Sequence, residues 1–195
     1  KQDVDLTYKL WNLFNKKIDE VLYTKEDGEQ KTCRQIFELE TKLFLCLVEM
    51  KFKGVRIDVE KATLFGKHLK KRRDQIIDSI ENLTGVRVDI WAAASIKNLL
   101  EYLDIRDYKV TPKSKMPQLP KDYLKTHKNK YLRMIAKARE YDKAVNTFIE
   151  GLLGYVHEGR IHADINQIRS DSGGTVTGRF SMSNPNLQQI PSKGY

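Results

Sequence analysis

The sequence has 195 residues, of which 40% are apolar and 31% charged, and its formal net charge is +9. This apolar share can fill a core and excludes wholesale disorder, and no apolar run reaches the roughly 18 residues of a membrane span. No secretory leader is recognisable at the start, and two cysteines are too few for a disulfide scaffold. We therefore expect an intracellular protein with reduced thiols and no membrane partner.

The positive charge is concentrated after the first quarter of the chain. Residues 1–50 carry 8 basic and 10 acidic side chains, a net of −2, so residues 51–195 carry the remaining 27 basic and 16 acidic ones, a net of +11. The asymmetry indicates a polyanionic partner for the second part. Charge alone leaves a solvated, lysine-rich surface equally open.

Apolar residues at three- and four-residue steps predict three helices in the first half of the chain. The first covers about residues 3–22, and the second ends at Gly54. After a short extended piece, Asp58 is suited to cap the third helix, which covers about residues 59–83.

A proline-broken, basic stretch comes next. Ser95 is the predicted N-cap of a short helix, and residues 104–120 contain three prolines, which predicts an exposed loop. The lysines that make this loop basic include Lys113 and Lys115.

Helix returns after the loop, first as a short segment and then as a long one. Residues 121–143 hold 8 basic and 3 acidic side chains, the densest positive stretch of the chain. Two long helices separated by a lysine-rich tip predict a protruding helical hairpin. A period-two pattern over residues 160–168 then predicts a strand. The expected fold is therefore mainly α, of the α+β class, with a long helical hairpin and a short antiparallel β element at the C-terminal end.

Few groups suitable for catalysis converge in this sequence. The four histidines do not have metal-ligand spacing, and neither a phosphate loop nor a nucleophile elbow is present. Asp3 and Asp5 have the chemistry of metal ligands, but no acidic motif follows nearby. Taken alone, they are interpreted as aspartates on a helix surface.

Residues suited to binding DNA occur in two places. Arg139, Lys143 and Thr147 are spaced four apart and share one helix face, which can present charge to adjacent phosphates. A solvated face explains the spacing equally well.

The second place follows the predicted strand. Gly178 permits an unusual backbone dihedral, Arg179 brings several donors, and Asn186 and Gln188 would point the same way from an extended chain. Such donors suit the acceptors that the minor groove offers at every base pair. An ordinary polar loop uses the same residue types, so both interpretations stay open.

The run GRFSMSNPNLQQIP at residues 178–191, preceded by Thr177, closely resembles the signature before the catalytic palm strand of A-family DNA polymerases. Residues 167–175 are similar to the form found in phage-encoded members. The resemblance extends over essentially the whole chain. It includes the turn at residues 53–58 where the polymerase domain begins, the thumb-base helix start at residues 95–99, the Arg139, Lys143 and Thr147 spacing of the long thumb helix, and, at residues 2–5, the end of the third proofreading motif.

The resemblance implies three regions. Residues 1–30 would be the C-terminal end of a 3′–5′ exonuclease-like domain, in which Asp3 falls on a metal-binding aspartate. Residues 31–157 would form the helical thumb region, and residues 158–195 the start of the palm.

The resemblance also implies a role for individual residues. Arg139 and Lys143 would contact the DNA backbone, while Arg179 would contact the minor groove at the primer end. The remaining implied DNA-binding residues are Ser95 and Thr177, Asn186 and Gln188 on the template side, and Lys113 and Lys115 at the basic tip. Two departures from the family pattern limit this transfer, namely Ala92–Ala94 in place of polar residues and Lys115–Pro117 in place of a hydroxyl-rich tip.

The implied parent is a DNA-directed DNA polymerase of replication or repair that binds primer-template duplex and dNTPs and uses Mg²⁺. The palm aspartates that hold the metal have no counterpart within residues 1–195, so we expect this segment to bind duplex DNA without catalysis and without a cofactor of its own. The alternative is a non-catalytic basic helical adaptor that binds RNA or an acidic protein.

Overall fold

A computed structural model describes residues 2–168 and 174–191. The helices are α1 (Gln2–Lys17), α2 (Cys33–Lys53), α3 (Val59–Thr84), α4 (Ala93–Tyr102), α5 (Lys121–Thr126), α6 (Lys130–Lys143), a π-helical segment (Ala144–Glu150), α7 (Gly151–Leu153) and a 3₁₀ turn (Leu187–Gln189). The strands are β1 (Val21–Thr24), β2 (Gln30–Thr32), β3 (Val55–Arg56), β4 (Lys109–Val110), β5 (Pro117–Gln118), β6 (Val156–His157), β7 (Arg160–Ile161), β8 (Asp164–Asn166) and β9 (Ser181–Ser183). The expected mainly α fold with short antiparallel strands is confirmed. Within the described ranges, none of the helices combines the length and the apolar content that a membrane span requires.

The contacts divide the chain into two compact units. The first comprises residues 1–54 and 162–188, and the second residues 55–161 and 189–195. Each unit is therefore assembled from segments that are distant in the sequence.

The first unit contains α1, α2 and two antiparallel hairpins. The helix predicted to reach Leu22 ends at Lys17, because the chain turns at residues 18–20 and then forms β1, which pairs with β2. The hydroxyl of Thr32 caps α2 by accepting from the backbone N–H of Arg34, and α2 ends before Gly54, as predicted. The strands β8 and β9 pair with Asp164 opposite Ser183.

The second unit is built around α3 and α6, which pack against each other. Asp58 caps α3 by accepting from the N–H of Lys61 at 2.9 Å, as predicted, and Gly85 ends it with a φ of +71°. The two helices are antiparallel, since Gly66 near the start of α3 lies against Ile149 beyond the end of α6. This is the predicted helical hairpin.

The core of the second unit lies between these helices and the short elements that connect them. Its fully buried side chains include Ile80, Ile96, Leu99, Leu100, Leu124, Leu132 and Ile135. Phe65 and Leu83 belong to the apolar pattern that predicts α3 and were expected to be buried. They are instead exposed, Phe65 by 42% and Leu83 by 58%. They lie toward the two ends of α3, whereas Leu69 and Ile80 between them are buried.

Three local predictions within residues 95–168 are wrong. The N-cap of α4 is Ala92, and Ser95 lies inside the helix, where its hydroxyl accepts from the backbone N–H of Asp89 at 2.9 Å. The expected loop at residues 104–120 contains the β4–β5 hairpin, closed by backbone pairing across its turn. The strand expected over residues 160–168 is divided between β7 and β8, which pair in separate sheets.

Candidate nucleic-acid interface

Arg139, the first predicted phosphate contact, is half-buried and largely engaged within the second unit. Its Nε donates to the carbonyl of Ile90 at 2.6 Å, its Nη1 donates to the carbonyl of Leu119 at 3.2 Å, and its guanidinium lies 5.1 Å from the ring centre of Trp91. Burial lowers the pKa of Arg139. Arg139 thus connects α6 to two other segments, the one before α4 that contains Ile90 and the one after β5 that contains Leu119.

A buried carboxylate lies on the same helix, three residues further along. Oδ1 of Asp142 accepts from Nη1 of Arg73 at 2.6 Å, and its Oδ2 accepts from Nε1 of Trp91 at 2.7 Å and from Nδ2 of Asn146 at 3.1 Å. Because every donor is supplied by the fold, the buried charge is compensated. Arg73 also pairs with Asp74 at 2.8 Å, so its guanidinium joins two carboxylates.

Lys143 and Thr147 are exposed, in contrast to their helix neighbour Arg139. The ammonium of Lys143 has no hydrogen bond or ion pair to any residue that the structure describes. The π-helical segment begins directly after Lys143, at Ala144, and carries Thr147. π-helical turns are rare and frequently occur at functional sites.

The basic tip is formed by the β4–β5 hairpin. Lys113 and Lys115 are both exposed in its turn, and Lys115 has a φ of +53°. The hydroxyl of Thr111 accepts from the backbone N–H of Met116 at 3.1 Å and also contacts the hydroxyl of Ser114. The lysines therefore project from an ordered turn.

In the first unit, Thr177 and Arg179 flank a glycine that needs its conformational freedom. Gly178 has a φ of +72°, and a Cβ built there would have no atom within 4 Å, so the positive φ alone favours glycine. The carbonyl of Arg179 accepts from the hydroxyl of Thr175. The exposed guanidinium of Arg179 has no partner among residues 2–168 and 174–191.

The amides of Asn186 and Gln188 do not project in parallel, so the expected extended chain is wrong here. A 3₁₀ turn forms instead, in which Oδ1 of Asn186 accepts from the backbone N–H of Gln188 at 3.1 Å. Nε2 of Gln188 donates to the carbonyl of Phe180 at 3.3 Å. The Nδ2 group of Asn186 is the donor that these local bonds leave free among the described residues.

The turn before Asn186 is fixed by a carboxylate. Oδ2 of Asp164 accepts from Nδ2 of Asn184 at 3.0 Å, and Oδ1 of Asp164 pairs with Nζ of Lys51 on α2. Hydrogen bonds from Lys51 and then Asn184 lower the pKa of Asp164. Asn184 has a φ of +52°, a region that asparagine adopts more readily than most residues.

The described residues do not fit a metal centre. Asp3 lies exposed in the first turn of α1, and no group of three or more His, Cys, Asp or Glu side chains within residues 2–168 and 174–191 is placed to hold an ion. The acidic ligands that Mg²⁺ prefers are thus not assembled here.

The structure brings some of the predicted residues together and adds others. In the second unit, Ser95 lies near Trp91, the residue on which the guanidinium of Arg139 packs. Lys113 and Lys115 lie on the β4–β5 hairpin instead. Sequence reasoning missed Trp91, Asp142 and Arg73. The available signals were that Trp91 stands directly before three alanines and that Asp142 is an aspartate within a basic helix.

Comparison with known proteins identifies the family of this chain. The family model described as DNA polymerase family A matches residues 59–195. The chain belongs to DNA polymerase family A, which confirms the resemblance seen in the sequence.

Relatives from phages and bacteria support this assignment. The chain is 32% identical to the DNA polymerase DpoZ of Acinetobacter phage SH-Ab 15497, covering 98% of this chain and 32% of that protein. It is 31% identical to the DNA polymerase DpoZ of Salmonella phage PMBT28, covering 99% and 32%. It is 29% identical to DNA polymerase I of Geobacillus stearothermophilus, covering 93% and 20%. The chain thus spans about a third or less of the length of these relatives.

The fold also matches a solved structure, the polymerase domain of Pol1 from M. smegmatis in complex with DNA primer-template and dNTP. The TM-score is 0.60 at 23% identity, covering 76% of this chain and 26% of that one. This match supports the fold. None of these proteins is named as an RNA-binding or protein-binding adaptor, so the alternative finds no support.

Proposed function

We propose that this chain is the duplex-holding part of a DNA-directed DNA polymerase, with residues 1–30 at the end of an exonuclease-like domain, residues 31–157 as the thumb region and residues 158–195 as the start of the palm. The observation that carries the proposal is the presence of exposed cations without carboxylate partners among the described residues, including Lys143 and Arg179. The M. smegmatis polymerase domain forms its complex with DNA primer-template, which supports the same partner.

The second unit would contact the phosphate backbone. Lys143 supplies the direct charge, because its ammonium has no partner among the described residues, and Thr147 lies one helical turn further along. Arg139 contributes through the Nη2 edge that its bonds to two carbonyls leave available. Lys113 and Lys115 add contacts from the hairpin, and Ser95 acts mainly by fixing the segment before α4.

The first unit would contact the minor groove. Arg179 presents a guanidinium that no described residue engages, and Asn186 presents its remaining Nδ2 donor. Gln188 retains a weaker role, since its Nε2 already donates to a carbonyl. Donors of this kind reach acceptors at every base pair and so hold duplex DNA without reading its sequence.

The test is a binding titration of the 195-residue chain with labelled primer-template duplex across a series of salt concentrations. If four to six phosphates are neutralised, the logarithm of the binding constant should fall with the logarithm of salt concentration with a slope of about −3.6 to −5.4. Lys143→Gln should reduce the magnitude of this slope by about 1. The matched control is Lys9→Gln on α1, outside the residues that the family model matches, which should leave the slope unchanged.

A slope near zero at low ionic strength, or tighter binding to single-stranded RNA than to duplex, would refute the proposal. The longer polymerase would use dNTPs and a divalent metal, with Mg²⁺ as the proposed ion. Because the described residues assemble no metal ligands, this segment should extend no primer when it is mixed with Mg²⁺, dNTPs and primer-template. Extension by the purified segment would contradict that expectation.

A further inference from the structure

A cleft of about 450 Å³ opens in the second unit beside Trp91. Its lining includes the aromatic residues Trp91 and Phe148 and the basic residues Lys121 and Lys143. Clefts of this size hold small ligands, and they typically combine apolar walls with a few placed polar groups. The duplex-holding role uses only Lys143 of these four side chains.

Trp91 is held in one orientation although it is 54% exposed. Its indole N–H donates to buried Asp142 at 2.7 Å, and the guanidinium of Arg139 packs against its ring at 5.1 Å. An exposed aromatic ring that is already fixed loses little conformational entropy when a flat ligand packs on it. The fold therefore maintains an exposed aromatic surface at the mouth of the cleft.

The charge at the cleft favours an anion. Lys121 and Lys143 are exposed and have no ion-pair partner within the described ranges. The carboxylate of Glu140, which also lines the cleft, is occupied by Lys125 at 2.7 Å and Lys137 at 3.1 Å. These bonds lower the pKa of Glu140, Lys125 first and Lys137 next, so its charge is compensated by neighbours outside the lining.

We propose that this cleft binds one unpaired nucleotide, with its base packed on Trp91 and its phosphate between Lys121 and Lys143. A flat ring joined to a phosphate is the ligand chemistry that matches an aromatic surface beside two cations that no described residue engages. A paired duplex presents its phosphates but keeps its base faces stacked, so the cleft is a subsite distinct from the duplex contact. This inference rests on the proposed function in one respect, since both proposals assign a phosphate contact to Lys143.

Trp91 itself can report binding. The chain contains two tryptophans, so Trp11→Phe leaves Trp91 as the one reporter of fluorescence. Titration of this variant with dAMP should give a saturable change in emission. Deoxyribose 5-phosphate, which lacks the base, should bind about tenfold more weakly, on the scale of one base–aromatic contact. Equal binding of the two probes would show a phosphate contact alone and overturn the proposal.

Variants at the rim test the phosphate contact without disturbing the core. Lys121→Gln and Lys143→Gln should each weaken dAMP binding several-fold, by the loss of one charge contact. Lys128→Gln, an exposed lysine that does not line the cleft, is the matched control and should leave dAMP binding unchanged. Unaltered binding in both rim variants would overturn the proposed site even if Trp91 responded to dAMP.

Two further measurements distinguish single-stranded DNA from a free nucleotide as the ligand, and distinguish failure of the cleft proposal from failure of the proposed function. Tetradeoxyadenylate that binds at least about tenfold more tightly than dAMP would identify single-stranded DNA as the ligand, and equal affinities would indicate a free nucleotide; both support the site. If the chain binds duplex DNA but neither dAMP nor tetradeoxyadenylate, the proposed function is supported and the cleft proposal is refuted. If the chain binds dAMP but not duplex DNA, the cleft proposal is supported and the proposed function is refuted.

Discussion

The indole N–H of Trp91 donates to Oδ2 of Asp142 at 2.7 Å, although 51 positions separate the two residues in the sequence. The other carboxylate oxygen of Asp142 accepts from Arg73 of α3. One buried carboxylate thus joins both helices of the hairpin to the segment before α4. The exposed aromatic surface beside Lys143 depends on this bond.

Replacing Asp142 with alanine should lower the free energy of unfolding by about 3–5 kcal/mol, the usual cost of removing one partner from a buried ion pair. Arg73 would lose a charged acceptor, and Trp91 would lose the acceptor for its indole N–H. Asp142→Asn keeps an oxygen for one donor and should cost less. Urea unfolding of both variants gives these values. Asp78→Ala, an exposed position on α3, should change stability by less than about 0.5 kcal/mol, and an equal loss at both sites would contradict the role given to Asp142.

In a polymerase that contains this chain, Arg179→Ala should raise the barrier to primer extension by about 1–3 kcal/mol, on the scale of one good contact to a base. Since the guanidinium of Arg179 has no partner within residues 2–168 and 174–191, the folded state has little interaction to lose, and thermal stability should stay near that of the parent. Single-turnover extension measures the effect. Arg72→Ala, an exposed arginine on α3, serves as the charge-matched control. Unchanged extension in the Arg179 variant would remove the minor-groove role.

Gly178→Ala should destabilise the first unit by about 1–2 kcal/mol, since a non-glycine residue pays that amount in the left-handed region. No atom lies within 4 Å of the added Cβ, so the cost comes from the backbone rather than from a clash. Gly178→Asn should cost less, because asparagine visits this region more readily. Thermal unfolding compares the three proteins. Equal destabilisation by alanine and asparagine would indicate a steric cause instead.

The ion pair of Asp164 with Lys51 should make stability depend on pH in the acidic range. The pKa of Asp164 is lowered from 3.8 in the folded protein. Its contribution is therefore fully present above pH 3.8 and is lost as the pH falls through the lowered folded-state value. Asp164→Asn keeps an acceptor for Asn184 but removes the charge, and at neutral pH it should cost at most about 1 kcal/mol because the pair is partly exposed.

Unfolding of both proteins at several pH values tests this linkage. The stability difference between the parent and Asp164→Asn should be constant from neutral pH down to about 4 and should shrink below it. Lys51→Met removes the same pair from the other side and should reduce the difference between Asp and Asn at position 164 to the part that the hydrogen bond from Asn184 supplies. A difference that grows as the pH falls would have the wrong sign for a carboxylate stabilised by a cation.

Much of the fold follows from local patterns in the sequence. The apolar stripes predicted α2, α3 and α6, and Gly54 and Asp58 ended and began helices where expected. Ser95 was wrong as a cap because α4 begins at Ala93, two residues earlier. The hydroxyl of Ser95 therefore lies within the helix and accepts from the backbone N–H of Asp89. Local propensity cannot choose between such partners, since serine suits both.

The sequence alone determined the family, the helical hairpin and the excess of cations, because motif order, apolar periodicity and charge are properties of the linear chain. Only the tertiary structure decided which cations are free. Arg139 and Lys143 share a helix face, and the sequence gives no reason to distinguish them. In the structure, Arg139 donates to the carbonyls of Ile90 and Leu119, whereas no described residue engages Lys143. A side chain's availability depends on acceptors that distant segments bring to it, and that information exists only once the chain has folded.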